Sequence, residues 1–179
     1  MEDVGKQAWA KRVVEGANEV INYVRNHHWT RNFLREPGEL RGKVLQLLKP
    51  AGTRFGTQYI AVSRLVDLHG KLTVLVAGET WKAWAVGKQK AAADSIQSIV
   101  LNQAWWAAAE FFVKLLKLPY LVMRSTDSSA KGMMGQIYEL MLKLTVDVTD
   151  LLKKEDLQLT PEDKEGIGEI IQHRWDRGD

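Results

Sequence analysis

The sequence contains no cysteine and only 4 prolines in 179 residues. The lack of cysteine excludes disulfides, thiolate nucleophiles and thiolate metal ligands, and it suits a reducing compartment. No apolar run approaches the roughly 20 residues that a membrane-spanning helix needs. The first residues include acids and lack the apolar segment of a secretory signal. The sequence therefore predicts an intracellular protein, in the nucleus or the cytoplasm, that does not act in a membrane.

Motifs for several kinds of chemistry are also missing. There is no phosphate-binding glycine loop, dinucleotide fingerprint, hydrolase nucleophile elbow or EF-hand loop. The stretch His27-His28-Trp29 is a weak metal candidate, because neighbouring residues of a helix point about 100° apart. A structural or surface role is the better interpretation. We therefore expect no cofactor, no metal site and no enzymatic activity.

Charge is distributed unevenly along the chain. Residues 1–90 contain 15 Lys and Arg and 8 Asp and Glu, whereas residues 91–179 contain 10 and 14. A basic half can follow the phosphates of a nucleic acid. Alternatively, the two halves are oppositely charged, solvated surfaces that attract each other.

Helical periodicity dominates the sequence. Apolar residues recur at three- and four-residue steps in residues 5–26, 40–48, 105–116, 134–151 and 167–175. Residues 72–77 are β-prone, but no second strand-like run could pair with them, which favours a short helix. The pattern predicts an all-α fold, a single irregular multi-helix domain of eight or nine helices covering 1–179. The polar stretch Ser125–Ser129 is the best internal boundary and would give sub-lobes 1–125 and 126–179.

Local signals suggest how individual helices begin, end and face the core. Asn102 and Thr160 are expected to cap helices. Gly70 is expected to break or bend a helix, and Pro119 to end one helix or start the next. Ala92 is predicted to face the core.

Tryptophan spacing has two interpretations. Trp81 and Trp84 lie one helical turn apart, and an exposed pair could stack nucleic-acid bases. A pair at this spacing is more often part of a core, which is the interpretation we favour.

The most regular seam of the sequence begins after the predicted boundary. It repeats at steps of three and four and comprises Met134, Ile137, Met141, Leu144, Val148 and Leu151. Such a seam packs either inside the chain or against a second copy. Packing inside the chain is the default, but Met134, Ile137, Met141, Leu144 and Val148 are also candidates for an interaction surface, including that of a homodimer.

Several short motifs resemble one protein family, in the family's order. They are Glu2-Asp3-Val4-Gly5-Lys6, Val24-Arg25-Asn26-His27-His28-Trp29, Pro50-Ala51-Gly52-Thr53-Arg54-Phe55, Glu79-Thr80-Trp81, Asn102-Gln103-Ala104-Trp105-Trp106, Met134-Gly135-Gln136-Ile137-Tyr138-Glu139 and Ile170-Ile171-Gln172-His173-Arg174-Trp175-Asp176. Together they resemble the helical insertion domain of hAT-superfamily transposases, in particular plant hAT-like transposases. The resemblance spans nearly the whole chain.

The resemblance implies an internal piece of a transposase. The family has an RNase H-like core with three acidic residues that hold two metal ions. The resemblance implies that this chain begins after the second catalytic Asp and ends before the catalytic Glu, and no residue here matches a catalytic acid. The family's DNA-end contact corresponds to Arg54 and Phe55, and Arg64 is a further candidate for nucleic-acid contact. Phe55 could still stack on a base, or it could be buried.

The resulting hypothesis is a truncated or domesticated transposase fragment. We expect a non-catalytic helical module that acts by binding another macromolecule, above all a protein. The alternative is a DNA-binding module, or a competitor of an intact transposase, that uses the basic N-terminal half.

Overall fold

The structure is a computed structural model that describes residues 2–35, 55–127, 134–153 and 160–176. Within these ranges the chain forms ten α-helices and one 3₁₀ turn, without a strand. The helices are α1 (Glu2–Lys6), α2 (Ala8–Asn26), α3 (His28–Arg35), α4 (Phe55–Asp67), α5 (His69–Ala77), α6 (Glu79–Trp84), α7 (Lys90–Val100), α8 (Gln103–Asp127), α9 (Met134–Leu152) and α10 (Pro161–Asp176), with the 3₁₀ turn Gly87–Gln89 after α6. The all-α prediction is confirmed, with more helices than the eight or nine expected. The predicted helix at 40–48 lies outside the described residues.

Helix α8 is the centre of the fold. It packs most extensively against α4 and also contacts α2, α7 and α9. Its apolar stripe is buried, because Trp106, Phe112 and Leu116 are each at most 2% exposed. Trp9 of α2 meets this stripe, with its ring centroid 5.4 Å from that of Phe111. The helical periodicity of residues 105–116 is thus confirmed, and a stripe this broad is typical of a buried central helix.

One hydrophobic cluster connects the helices on both sides of the predicted boundary. It contains residues of α1, α2, α4, α5 and α8, and it also includes Val148 of α9 and Ile167 of α10. Three residues of the predicted boundary, Ser125, Thr126 and Asp127, are helical, because they are the last residues of α8. Ser128 and Ser129 lie outside the described residues.

Pro119 neither ends nor starts a helix, contrary to the prediction. It lies inside α8, where it lacks the N–H that would bond to the carbonyl of Leu115. Packing after the proline explains why the helix continues. Tyr120 lies against Tyr59 of α4 with ring centroids 4.5 Å apart, so tertiary contacts hold the helix across the missing backbone bond.

The interruption expected at Gly70 occurs two residues earlier. Leu68 separates α4 from α5 and is 1% exposed, while Gly70 lies in the first turn of α5. Burial of the Leu68 side chain fixes the position of the turn, and a glycine in a first helical turn is tolerated. Residues 72–77 are helical, as expected.

Two smaller predictions about helix ends and faces were wrong. The first helix is divided at Gln7, whose backbone is extended, so α1 and α2 are separate. Ala92 is exposed, and the adjacent Ala93 is buried instead. Ala93 lies three residues before Ile96 and seven before Val100, both buried, so it continues their stripe whereas Ala92 points about 100° away.

Both predicted helix caps are confirmed. The Asn102 side-chain oxygen accepts a hydrogen bond from the N–H of Trp105 at 3.1 Å, at the start of α8. At the start of α10, the Thr160 hydroxyl accepts from the N–H of Asp163 at 3.1 Å. The Asp163 carboxylate accepts in return from the N–H of Thr160 at 3.2 Å. This reciprocal pair satisfies two backbone donors, as a capping box does.

Candidate functional site

The residues predicted to contact nucleic acid are only partly described. Arg54 lies outside the described residues. Phe55 is the first residue of α4, but its side chain lies outside the described part. Arg64 lies in the last turn of α4, half-buried and engaged with neighbouring groups. A nucleic-acid contact at these three residues therefore stays a prediction.

The predicted seam of α9 is partly buried within the chain. Val148 is 2% exposed and belongs to the core, and Leu144 and Leu151 are half-buried and pack against it. The C-terminal part of the seam thus packs inside the chain, and Val148 is not part of an exposed surface. The side chains of Met134, Ile137 and Met141 lie outside the described part.

A groove runs between α8 and α9. Its volume is about 500 Å³. Its floor is apolar and is formed by Leu115, Leu118, Leu121, Leu144, Val148 and Leu151. Leu115 and Val148 are buried beneath it, whereas Leu121 is 50% exposed. Leucine side chains in the groove are therefore exposed to solvent, above a layer of buried apolar residues.

The α8 wall of the groove is basic. Lys114 and Lys117 line it, and both are exposed. Arg124, also exposed, continues the same line of residues one turn beyond Leu121. Lys114 approaches Glu110 at 3.9 Å, a distance at which an exposed pair contributes little to stability. This wall therefore presents a row of cations to any molecule in the groove.

The α9 wall is mostly acidic. Lys143, Asp147 and Asp150 line it at helical spacing, and all three are exposed. Asp150 also lies 3.5 Å from Lys153, outside the groove. Beyond this wall, Leu142 and Val146 are 42% and 58% exposed, so the apolar surface continues over the outer side of α9. The two walls differ in sign and the floor between them is apolar.

A second cluster contains aromatic side chains from α2, α3 and α6. Its members are Tyr23, His27, Trp29, Trp81 and Trp84. Trp81 is 1% exposed, which confirms its predicted place in the core. The indole N–H of Trp84 donates to the Tyr23 hydroxyl at 3.0 Å. Burial raises the pKa of the Tyr23 phenol, and the hydrogen bond from Trp84 opposes part of that shift.

The two histidines before Trp29 have different environments. His27 lies in the aromatic cluster, and its Nδ1 donates to the backbone carbonyl of Tyr23 at 2.7 Å. His28 is exposed and lies 3.2 Å from the side-chain amide of Asn32. In the described ranges no three metal-ligating side chains come together in a way that could hold an ion. None of the helices described is long and apolar enough to cross a membrane.

The sequence predicted part of the apolar floor of the groove but neither of its charged walls. The α9 seam pointed to Leu144 and Val148 at the floor. The α8 wall was not predicted, because the apolar stripe that dominates residues 105–116 lies on the opposite side of that helix. The available signal was the line Lys114, Lys117, Leu121 and Arg124, at steps of three, four and three.

Comparisons with known proteins do not identify the chain. No family model matches it, and neither the curated proteins nor the solved structures contain a significant match.

Proposed function

We propose that this chain is a transposase-derived, non-catalytic helical module that acts inside the cell, in the nucleus or the cytoplasm, by binding another protein in the groove between α8 and α9. The motifs that resemble the transposase family, in the family's order, support the transposase origin. No residue of the chain matches a catalytic acid of that family, which supports a non-catalytic role. The α8–α9 groove supports the mode of action. It is the feature on which the proposal depends.

The exposure of Leu121 is the observation that best supports a protein-binding role for the groove. Its side chain is 50% exposed at the groove, beside the half-buried Leu118 and Leu144. Each square ångström of apolar surface removed from water stabilises a complex by roughly 25 cal/mol. Surface apolar residues that are grouped in a concave site, with charged residues at the rim, are typical of protein–protein contact sites.

Site-specific photo-cross-linking tests this function. A photoreactive amino acid replaces Leu121 of the full chain, which is expressed in cells of the organism that encodes it. We expect one dominant cross-linked protein, because the side chain faces the bound partner. A second substitution, Leu118→Glu, should abolish that product by placing a charge in the groove floor.

Val86 provides the control position. It is 59% exposed and lies between α6 and the 3₁₀ turn, away from the groove residues in the sequence. The same photoreactive group at 86 should not label the protein obtained at 121. Identical labelling from both positions, or no labelling from 121, would contradict the proposed function.

DNA binding is the second candidate, and the surplus of basic residues in 1–90 favours it. It predicts DNA affinity that falls steeply as salt rises, because neutralised phosphates release counterions. The measurement is an electrophoretic shift at low and at physiological salt, on wild type and on the double variant Arg54→Ala, Phe55→Ala. No shift at low salt, or equal shifts for both proteins, would exclude a DNA contact at these residues.

A further inference from the structure

We propose that the occupant of the α8–α9 groove is a short amphipathic helix of a partner protein, with a row of acidic residues along one flank. This inference rests on the proposed function of the groove as a protein-binding site. It adds the chemical class of the partner and the way in which the partner is oriented.

The length of the groove defines the length of the occupant. The lining residues extend from Lys114 to Leu121 on α8 and from Lys143 to Leu151 on α9. Eight or nine helical residues span about two turns, at 1.5 Å per residue. A partner helix of two to three turns therefore fills the site, with apolar anchors at positions i, i+3 or i+4, and i+7.

The floor selects apolar anchors. Leu118, Leu121 and Leu144 are accessible from the groove, while Val148 closes it from below. Within the described lining, polar side chains are confined to the two walls. Leucine, isoleucine, methionine or phenylalanine on the partner would therefore meet carbon atoms at the floor, whereas a polar anchor would lose its hydration without gaining a hydrogen bond.

The walls select the charge of the flanks. Along α8, Lys114, Lys117 and Arg124 form an exposed cationic row, which pairs with glutamate or aspartate on the facing flank. The opposite wall has Asp147 and Asp150 together with Lys143, so it attracts a second acidic flank much less. This difference orients the partner, because only one of its flanks gains from being acidic.

The same walls disfavour a nucleic acid. The phosphates of a strand that followed the α8 row would lie next to Asp147 and Asp150 across the groove, and like charges repel. The apolar floor would also remove phosphate or sugar oxygens from water. The leucine floor, the basic wall and the acidic wall together therefore favour a protein helix over a nucleic acid as the occupant.

Two designed helical peptides test the proposal. Both have the same apolar anchors and the same side-chain cross-link that holds them helical. The first peptide has glutamates on one flank and glutamines on the other. The second peptide is identical except that lysines replace the glutamates. Binding to the full chain is measured by fluorescence anisotropy. We expect the glutamate peptide to bind roughly tenfold more tightly at low salt, with a smaller ratio at high salt because exposed charges are screened.

Charge reversal on the protein makes the test specific to the α8 wall. The double variant Lys114→Glu, Lys117→Glu should reverse the preference in favour of the lysine peptide. The double variant Lys82→Glu, Lys88→Glu, which changes two exposed lysines on α6 and the 3₁₀ turn, should leave the preference unchanged. Circular dichroism of each variant verifies that the helices are intact.

Each alternative outcome has a defined consequence. Equal affinity for the two peptides, binding of neither, or reversal by the Lys82 and Lys88 variant overturns the acidic-helix inference. A wild-type dimer in sedimentation equilibrium that Leu121→Glu dissociates also overturns it, since a second copy would then occupy the groove. If neither peptide binds but position 121 still cross-links a specific protein, only the proposed chemistry of the partner is rejected. If that cross-linking is absent, the proposed function itself is rejected.

Discussion

Replacing Trp106 with alanine is expected to lower the free energy of unfolding by about 3–5 kcal/mol, the range measured for removal of a large buried aromatic side chain. Trp106 is 2% exposed and lies at the start of the central helix α8. Its ring stacks on His69 of α5, with centroids 3.9 Å apart and planes inclined by 18°. The substitution therefore leaves a cavity where α8 meets α5. Urea denaturation followed by circular dichroism measures the change.

The conservative variant Trp106→Phe separates the hydrogen bond from the packing. The indole N–H donates to the carbonyl of Val100 at 2.7 Å, and this contact is buried. Phenylalanine keeps most of the ring but leaves that carbonyl without its partner, which costs about 1–3 kcal/mol. Trp84→Phe is the matched control. Because Trp84 is only half-buried, the same substitution there should lower the free energy of unfolding by less. A loss below about 1 kcal/mol for Trp106→Ala would contradict a core position for this residue.

The parts of the fold that were predictable depend on residues close together in the sequence. Helical periodicity identified the central helix around Phe112, because every third or fourth residue of a helix faces the same side. The caps at Asn102 and Thr160 were predictable because the acceptor and the donor lie within three residues. Such signals do not require knowledge of what the helix packs against.

The parts that failed depend on tertiary contacts. Pro119 was expected to interrupt a helix, but the contact between Tyr120 and Tyr59 lies beyond it. The groove has the same origin, because its two walls lie on different helices and become a site only when α8 and α9 pack together. Sequence periodicity could assign Val148 to a seam, but not to the floor of a groove with Leu118 on the other side.

The second large effect is expected at Gly16, where α2 lies against α8. A Cβ atom built on Gly16 would lie 2.6 Å from Nε1 and 3.1 Å from Cε2 of Trp105. Both atoms belong to a rigid ring, so relief requires the ring or a helix to move. Overpacking of this kind costs about 1–3 kcal/mol, whereas alanine in place of glycine inside a helix gains at most about 1 kcal/mol. We therefore expect Gly16→Ala to destabilise the protein.

Two comparisons separate the steric effect from helix propensity. Gly168 lies inside α10, and a Cβ built there meets no heavy atom within 4 Å. Gly168→Ala should thus stabilise the protein by about 0.5–1 kcal/mol, because only the propensity difference acts. In a Trp105→Leu background the ring is gone, so Gly16→Ala should change from destabilising to neutral or stabilising, and the double-mutant cycle measures the coupling. If Gly16→Ala stabilised the wild-type protein as much as Gly168→Ala, the close approach of α2 to Trp105 would be wrong.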